Sequence, residues 1–215
     1  MQKVKDGSLL LESHYLPCIE YFVLFQDFED IIIHAEETYQ KQSYRNRCYV
    51  LGPNKTQILT VPVDGKTKKS RITEVKINYS EPWYNEHIRS IRTAYGKAPY
   101  FEFYFEYFEK ILLQKHEFLW DLNQQMLTLC LDLLKIDRKI SDSKECQLNL
   151  SEIDNRYYEI ISRKISHQDR IIYQEARYQQ LFGSNFVPNL SIIDLLFCEG
   201  PNSSTIIGQS TIKHI

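Results

Sequence analysis

Residues 47–63 read Arg-Cys-Tyr-Val-Leu-Gly-Pro-Asn-Lys-Thr-Gln-Ile-Leu-Thr-Val-Pro-Val. The run from Arg47 to Leu51 is compact and apolar, and Gln57 to Val63 alternates with period 2, the pattern of a half-buried strand. Between them Gly52-Pro53-Asn54 is a turn signal, so the segment predicts a hairpin. Pro62 has no N–H to give to a ladder, which puts it at an edge or at the end of its strand. Upstream, Ser8 to Ser13 and Ile31 to Ile33 are further apolar runs of strand length. Downstream, Asp64 to Ser70 is a polar, Lys-rich loop, and Ile72 to Ile77 resumes a strand pattern.

After Ser80 the period changes. Tyr84, Ile88, Ile91 and Tyr95 recur at helical spacing, with Ser80 as cap, Pro82 in the first turn and Gly96 at the stop. A second helix opens after Pro99, with Phe101, Tyr104, Phe105, Phe108, Ile111 and Leu112 on one broad face. A third carries Phe118, Leu119, Leu122, Met126, Leu129, Leu133 and Ile136 in register. Ile140 to Leu150 reads as a polar connector, and 156–181 as mixed with helical signals. Ser191 and Asp194 form a capping box in its Asp form, Leu190 and Leu195 a hydrophobic staple, and Gly200 a stop, giving a helix over about Ser191 to Glu199. Strands first and helices after, without strict alternation, predict an α+β fold rather than a doubly wound sheet. The expected organisation is one domain over 1–215, with a strand-rich part carrying the hairpin (8–79), a helical part (80–136), a mixed C-terminal part (150–200) and a tail (201–215).

Bulk properties narrow the function. At 215 residues, 43% hydrophobic and 25% charged, the chain suits one globular domain rather than a disordered or fibrous one. A formal net charge of −2 with interleaved signs argues against general nucleic-acid binding. Five cysteines, odd in number and without Cys-x-x-Cys spacing, read as reduced thiols, not as a disulfide framework or zinc site. No leader-like stretch and no run of about 20 apolar residues is present, so a cytoplasmic protein without a transmembrane segment is expected. P-loop, GxGxxG, GxSxG and HExxH patterns are absent, and nothing names a cofactor.

Chemistry points to residues 39–47, Tyr-Gln-Lys-Gln-Ser-Tyr-Arg-Asn-Arg, which contain no aliphatic side chain although apolar segments flank them. If extended, this run places Tyr39, Lys41, Ser43, Arg45 and Arg47 on one face and Gln40, Gln42, Tyr44 and Asn46 on the other. Three cations within seven residues suit a phosphate or carboxylate, and the aromatic planes suit a sugar or base. The expected ligand is an anionic small molecule such as a nucleotide sugar, held by Tyr39, Lys41, Gln42, Ser43, Tyr44, Arg45, Asn46 and Arg47. The alternative is a solvated edge whose cations pair with Glu36, Glu37 and other acids.

His87, beside an apolar helical stripe, is the candidate general base, because an imidazole transfers protons near neutrality. Its alternative is a satisfied structural histidine. No two histidines lie at i, i+4 on one helix, so no metal is expected. Asp121 and Asn123, and Asp154 with Arg156, suit either a cleft or local structural pairing. Seven aromatics between Tyr100 and Phe108 suit a carbohydrate platform, but their helical spacing favours core filling. Cys18 and Cys48 lack an activating neighbour in the sequence, which disfavours a thiol nucleophile.

The chain resembles the WbqC-like family of bacterial proteins over nearly its whole length. The resemblance is carried by Tyr15-Leu16-Pro17 with Ile19-Glu20-Tyr21-Phe22, by Tyr39-Gln40-Lys41-Gln42-Ser43-Tyr44-Arg45-Asn46-Arg47, by Leu59-Thr60-Val61-Pro62-Val63, by Trp83 with His87, by Ala94-Tyr95 with Pro99-Tyr100-Phe101, and by Pro188-Asn189-Leu190-Ser191-Ile192-Ile193-Asp194-Leu195-Leu196-Phe197. Many family members have Pro or Trp where this chain has Cys18. The resemblance implies a setting among O-antigen and other surface-polysaccharide genes. That setting is a genomic theme more than a reaction; the most economical reading of it is a transferase that modifies a nucleotide- or lipid-linked sugar, by acyl or aminoacyl transfer to a sugar amine, with polysaccharide-biosynthesis enzymes as partners. A non-catalytic sugar-nucleotide or glycan binder assisting glycosyltransferases, or a protein-interaction module, stays open beside it.

Overall fold

A computed structural model describes residues 5–26, 28–65, 69–144, 153–154 and 173–212. The chain is an α+β protein, with strands mainly in the first half and helices after them. Its elements are β1 (Lys5–Leu11), α1 (Ile19–Leu24), β2 (Phe28–Ile33), β3 (Arg47–Leu51), β4 (Thr56–Thr60), a 3-10 turn (Ile72–Glu74), α2 (Trp83–Tyr95), α3 (Phe101–Leu113), α4 (Leu119–Leu134), β5 (Lys139–Asp142), β6 (Ile153–Asp154), β7 (Tyr173–Gln174), α5 (Ile192–Glu199), α6 (Ser203–Gln209) and β8 (Thr211–Ile212).

The main sheet has four strands in the order β5-β2-β1-β6, and all of its pairings are parallel. Parallel strands are covered on both faces, and the triplets Leu9-Leu10-Leu11 and Ile31-Ile32-Ile33 are buried throughout. β3 and β4 form the expected antiparallel hairpin, with Arg47 opposite Thr60 and Leu51 opposite Thr56. It closes through Gly52, whose N–H donates to the Lys55 carbonyl, and β4 stops just short of Pro62.

α2, α3, α4 and α5 lie where the 3.6-residue period places them. Phe101, Phe105 and Phe108 of α3 pack around Phe197 of α5, so this aromatic block fills the core. Buried residues of β1, α1, β2, the hairpin and α2 to α6 belong to one contiguous hydrophobic cluster.

Local expectations differ in four places. Ile72 to Ile77 is a 3-10 turn flanked by single bridges (Thr38 with Arg71, Lys76 with Phe118, Val63 with Ile77) rather than a strand, because no neighbouring strand lies alongside to pair it continuously. The connector from Ile140 opens inside β5, since the edge of the parallel sheet recruits it. Neither Ser80 nor Ser191 caps a helix through its side chain; Pro82 occupies the N-cap of α2, and Asp194 is drawn away from the start of α5 into the hydrogen bonds described below. The tail is built into the fold from 203 to 212, with Ile206 and Ile207 buried. Most of the mixed segment 156–181, Asp154 apart from its backbone, and Arg156 lie outside the described residues.

Candidate functional site

Because β1, β2 and β5 run the same way, their carboxyl ends share one rim, the edge at which parallel α/β sheets usually bind ligands. Leu11 ends β1, and Glu12-Ser13-His14 emerge there. Ile33 ends β2, and His34 to Glu37 emerge beside them, joined by a hydrogen bond from the His34 N–H to the Leu11 carbonyl (2.8 Å). Ser143, just past β5, accepts the Ala35 N–H on its Oγ at 2.9 Å. The segment 41–46 is a set of turns, with Gln42 at φ 59°, and not an extended strand. Its residues therefore do not divide into two alternating faces. The turns hold it across the rim, where the Tyr15 N–H donates to the Tyr44 carbonyl (2.9 Å).

At the centre is Arg45, one of the largest fully buried side chains. Its Nη2 donates to Glu12 Oε1 at 2.6 Å and also to Glu37 Oε2, while Nε donates to Glu37 Oε2 at 2.8 Å. Glu37 Oε1 accepts the Ser13 N–H at 2.8 Å. Asn123, from the leucine-rich α4, donates through Nδ2 to the Arg45 carbonyl (2.9 Å) and to Ser13 Oγ (3.2 Å). Two glutamate side chains around one guanidinium, with Glu12 as its carboxylate, give a charge-assisted network that is costly to break by removing one member.

Glu12 also faces His14, whose Nε2 lies 3.2 Å from Glu12 Oε2. A carboxylate oxygen can only accept, so Nε2 carries the hydrogen and Nδ1 is the basic nitrogen of the neutral ring. The His14 ring packs between Tyr21 and Tyr44, with centroids at 5.0 and 5.4 Å. Tyr21 in turn donates its hydroxyl to the Glu12 carbonyl at 2.8 Å.

Burial raises the Glu12 carboxyl, but the His14 imidazole and the Arg45 guanidinium outweigh it and hold the group below its usual value. Burial, with the Glu12 charge added, pushes Glu37 up to about 8 against the opposing pull of Arg45. The backbone here is strained at Leu16, a non-glycine residue at φ 43°, whose carbonyl is held by Ser191 Oγ at 2.9 Å.

The predicted binding residues differ in exposure: Lys41 and Gln42 are exposed, Tyr44 and Arg47 are half-buried, and Tyr39, Ser43, Arg45 and Asn46 are buried. Arg45 pairs with Glu12 and is hydrogen-bonded to Glu37, the latter being one of the acids of the alternative reading, but in a buried site rather than on a solvated edge. Arg47 and Arg45 lower the Tyr39 phenol, but burial is the larger effect and raises it to about 12. Ser43 Oγ donates to the Gln40 carbonyl (2.6 Å), and Asn46 Nδ2 donates to the Val61 carbonyl (2.9 Å), so both shape the turns.

His87 is buried, and both of its ring nitrogens are engaged. Nε2 lies 3.2 Å from the Thr60 carbonyl, which fixes that nitrogen as donor, and Nδ1 accepts from Tyr15 Oη at 3.0 Å. Burial pushes its pKa down to about 4, so at neutral pH it is an uncharged cross-link between α2, the hairpin and the loop after β1.

Glu12 and His14 escaped sequence reasoning because an acid and a histidine two residues apart are unremarkable until the apolar triplet before them is read as a parallel strand. That triplet was the available signal. Among the described residues, no three His, Cys, Asp or Glu side chains are placed to share a metal ion. Cys18, Cys48, Cys130 and Cys198 are buried and outside any disulfide, and burial pushes Cys48, Cys130 and Cys198 upward, away from nucleophilic thiolate.

Comparison with known proteins places this geometry in a family. The sequence profile of the WbqC-like protein family matches residues 12–169 and 155–206. The uncharacterized protein Rv1507c of Mycobacterium tuberculosis is 28% identical over 218 residues, covering 89% of this chain and 93% of the relative. No solved structure matches. Both profile segments together run from the first residue of the rim, Glu12, to Ile206 of α6: the chain belongs to the WbqC-like protein family.

Proposed function

We propose that the chain is a transferase of surface-polysaccharide assembly that moves an acyl or aminoacyl group onto the amine of a nucleotide-linked sugar. One observation carries the reading: the His14 imidazole, oriented by Glu12, at the carboxyl-end rim of a parallel sheet. In the reaction the sugar amine attacks the acyl carbonyl of the donor, a C–N bond forms and the donor's thiol or hydroxyl departs. His14 Nδ1 takes the proton shed by the amine, and the leaving group receives it. Glu12 stabilises the resulting imidazolium, which is the division of labour of an acid-oriented histidine. Arg45 and Glu37 are positioning residues that fix Glu12. Lys41, Gln42, Tyr44 and Arg47, each exposed or half-buried within 39–47, contact the phosphates and sugar.

The test is to incubate the protein with uridine- or thymidine-diphosphate amino sugars together with acyl thioesters or aminoacyl-tRNA, and to follow the mass of the sugar. Product from the native chain that falls about 10²–10⁴-fold in His14→Ala supports the reading, that being the usual worth of a general base. A thermal shift with the nucleotide sugar should persist in the same variant. Product formed equally by His14→Ala, or no mass gain with any donor, sinks it.

Burial of Glu12 and His14 to 3% exposure each favours one rival, a non-catalytic sugar-nucleotide or glycan binder assisting a glycosyltransferase. That rival expects the thermal shift without turnover.

A further inference from the structure

The outer face of α3 is apolar in the middle of a charged helix. Phe103 is 68% exposed, Tyr107 54% and Leu113 51%, three of the four large hydrophobic side chains most exposed among the described residues. At 100° per residue, Phe103, Glu106, Tyr107, Lys110, Leu113 and Gln114 share one face, opposite the Phe101-Phe105-Phe108-Leu112 stripe that enters the core. Beside the C-terminal half of this face lies a shallow depression of about 380 Å³ lined by Glu106, Glu109, Lys110, Leu113 and Gln114. Glu109 is neutralised by Arg92 at 2.8 Å, whereas neither Glu106 nor Lys110 makes an ion pair among the described residues.

A twofold axis crossing α3 level with Phe108 would run two copies of the helix antiparallel and set residues equidistant from 108 against each other. Phe103 then meets Leu113 of the second copy, at the depression. Glu106 meets Lys110, Lys110 meets Glu106, and the two Tyr107 rings flank the axis. Knob, recess and opposite charges are thus all present on one patch in the arrangement that a self-complementary interface needs. We propose that this face of α3 is a homodimer interface, two α3 helices packing antiparallel about an axis near Phe108. One helix face is less than the roughly 800 Å² per partner of a stable complex, so the dimer is a weak, concentration-dependent one.

Sedimentation velocity on the full chain, across a concentration series, tests this. The native chain should move from monomer to dimer as concentration rises, and Phe103→Asp should stay monomeric with its thermal transition unchanged. Glu106→Lys alone and Lys110→Glu alone each put like charges face to face, and should each weaken the dimer about tenfold or more. The decisive sample is an equimolar mixture of those two variants, in which every facing pair is again opposite in sign. Heterodimer at native strength confirms the register, and no misfolding of either variant reproduces that rescue. A native chain that stays monomeric throughout overturns the proposal. So does a dimer indifferent to Phe103→Asp, or a mixture no stronger than its components.

Discussion

Arg45 holds the buried Glu12 carboxylate and the buried Glu37 carboxyl, and its removal would strand both. Arg45→Ala should lower stability by about 3–5 kcal/mol in urea denaturation, the usual result of breaking a buried ion pair from one side. Replacing Glu12, Glu37 and Arg45 together by apolar residues of matching volume should cost less than Arg45→Ala alone, the remaining loss coming from the Ser13 N–H and His14 Nε2 left without their acceptors. If the proposed chemistry holds, the same triple variant makes no product, which separates the network's structural role from its catalytic one.

The two carboxyls respond to pH in opposite senses. Between the ordinary 4.5 and about 8, the unfolded chain has Glu37 ionised while the folded one keeps it protonated. Its contribution to stability is therefore complete below 4.5 and is lost as pH rises through 8. Glu12, held low, contributes above its ordinary value and loses that contribution as the solution is acidified. Below 6.5 the depressed His87 makes stability rise with pH and opposes this trend, so urea midpoints should fall between 6.5 and about 8 in the native chain, and Glu37→Gln should abolish that fall. His87→Gln can still donate to Thr60 and should retain most of the turnover; loss as deep as that of His14→Ala would return the proton-transfer role to His87.

At the level of elements, α5 is anchored by its own buried acid. Asp194 accepts from Tyr95 Oη of α2 at 2.8 Å, from Tyr178 Oη, and from Gln180 Nε2 at 3.2 Å, and Tyr95 Oη accepts the Leu51 N–H from the hairpin at 3.0 Å. One carboxyl so ties together the hairpin, two helices and the segment before α5. Asp194→Ala leaves two hydroxyls without their acceptor and should cost about 2–6 kcal/mol, at roughly 1–3 for each orphaned group.

Where α5 ends, Gly200 at φ 53° lies under the Tyr100 ring, and a Cβ there would meet that ring at 2.4 Å. Gly200→Ala therefore combines backbone strain with a clash and should lower the thermal midpoint markedly, by about 2–4 kcal/mol in stability terms.

These elements also mark what the sequence could disclose. The four helices and the hairpin were readable because each keeps its own period and punctuation over enough residues. The parallel pairing was not, since Leu9–Leu11 and Ile31–Ile33 are too short to show any period, and their partners β5 and β6 are strands of four and two residues that form only against an existing edge. The polar run 39–47 stands out by composition and contains Arg45, and its alternative reading already names Glu37 as a pairing acid. The partners Glu12 and Asn123 come from other elements, and only tertiary structure brings them in.

At the scale of the whole molecule, distant segments close on one another. A Cys18–Ser191 bridge links the loop after β1 to the start of α5. The Ile19 N–H donates to the Leu190 carbonyl at 3.0 Å, the Ser191 N–H to the Tyr49 carbonyl at 2.8 Å, and Gln26 Nε2 to the Ile207 carbonyl at 2.6 Å. With one hydrophobic cluster shared by all these parts, we read the chain as a single folding unit. Fluorescence and circular dichroism should then report one coincident unfolding transition. Two separated transitions would divide it into domains.

The stitching of α1 to residues 189–207 also bears on birth at the ribosome. Translation delivers Ile19–Leu24 on the order of ten seconds or more before the segment that covers it. For that interval Tyr21, Phe22 and Phe25 have no late-arriving lid. A nascent chain stalled near residue 185 should therefore recruit holdase chaperones to its first fifty residues, and release them once the following two dozen have emerged.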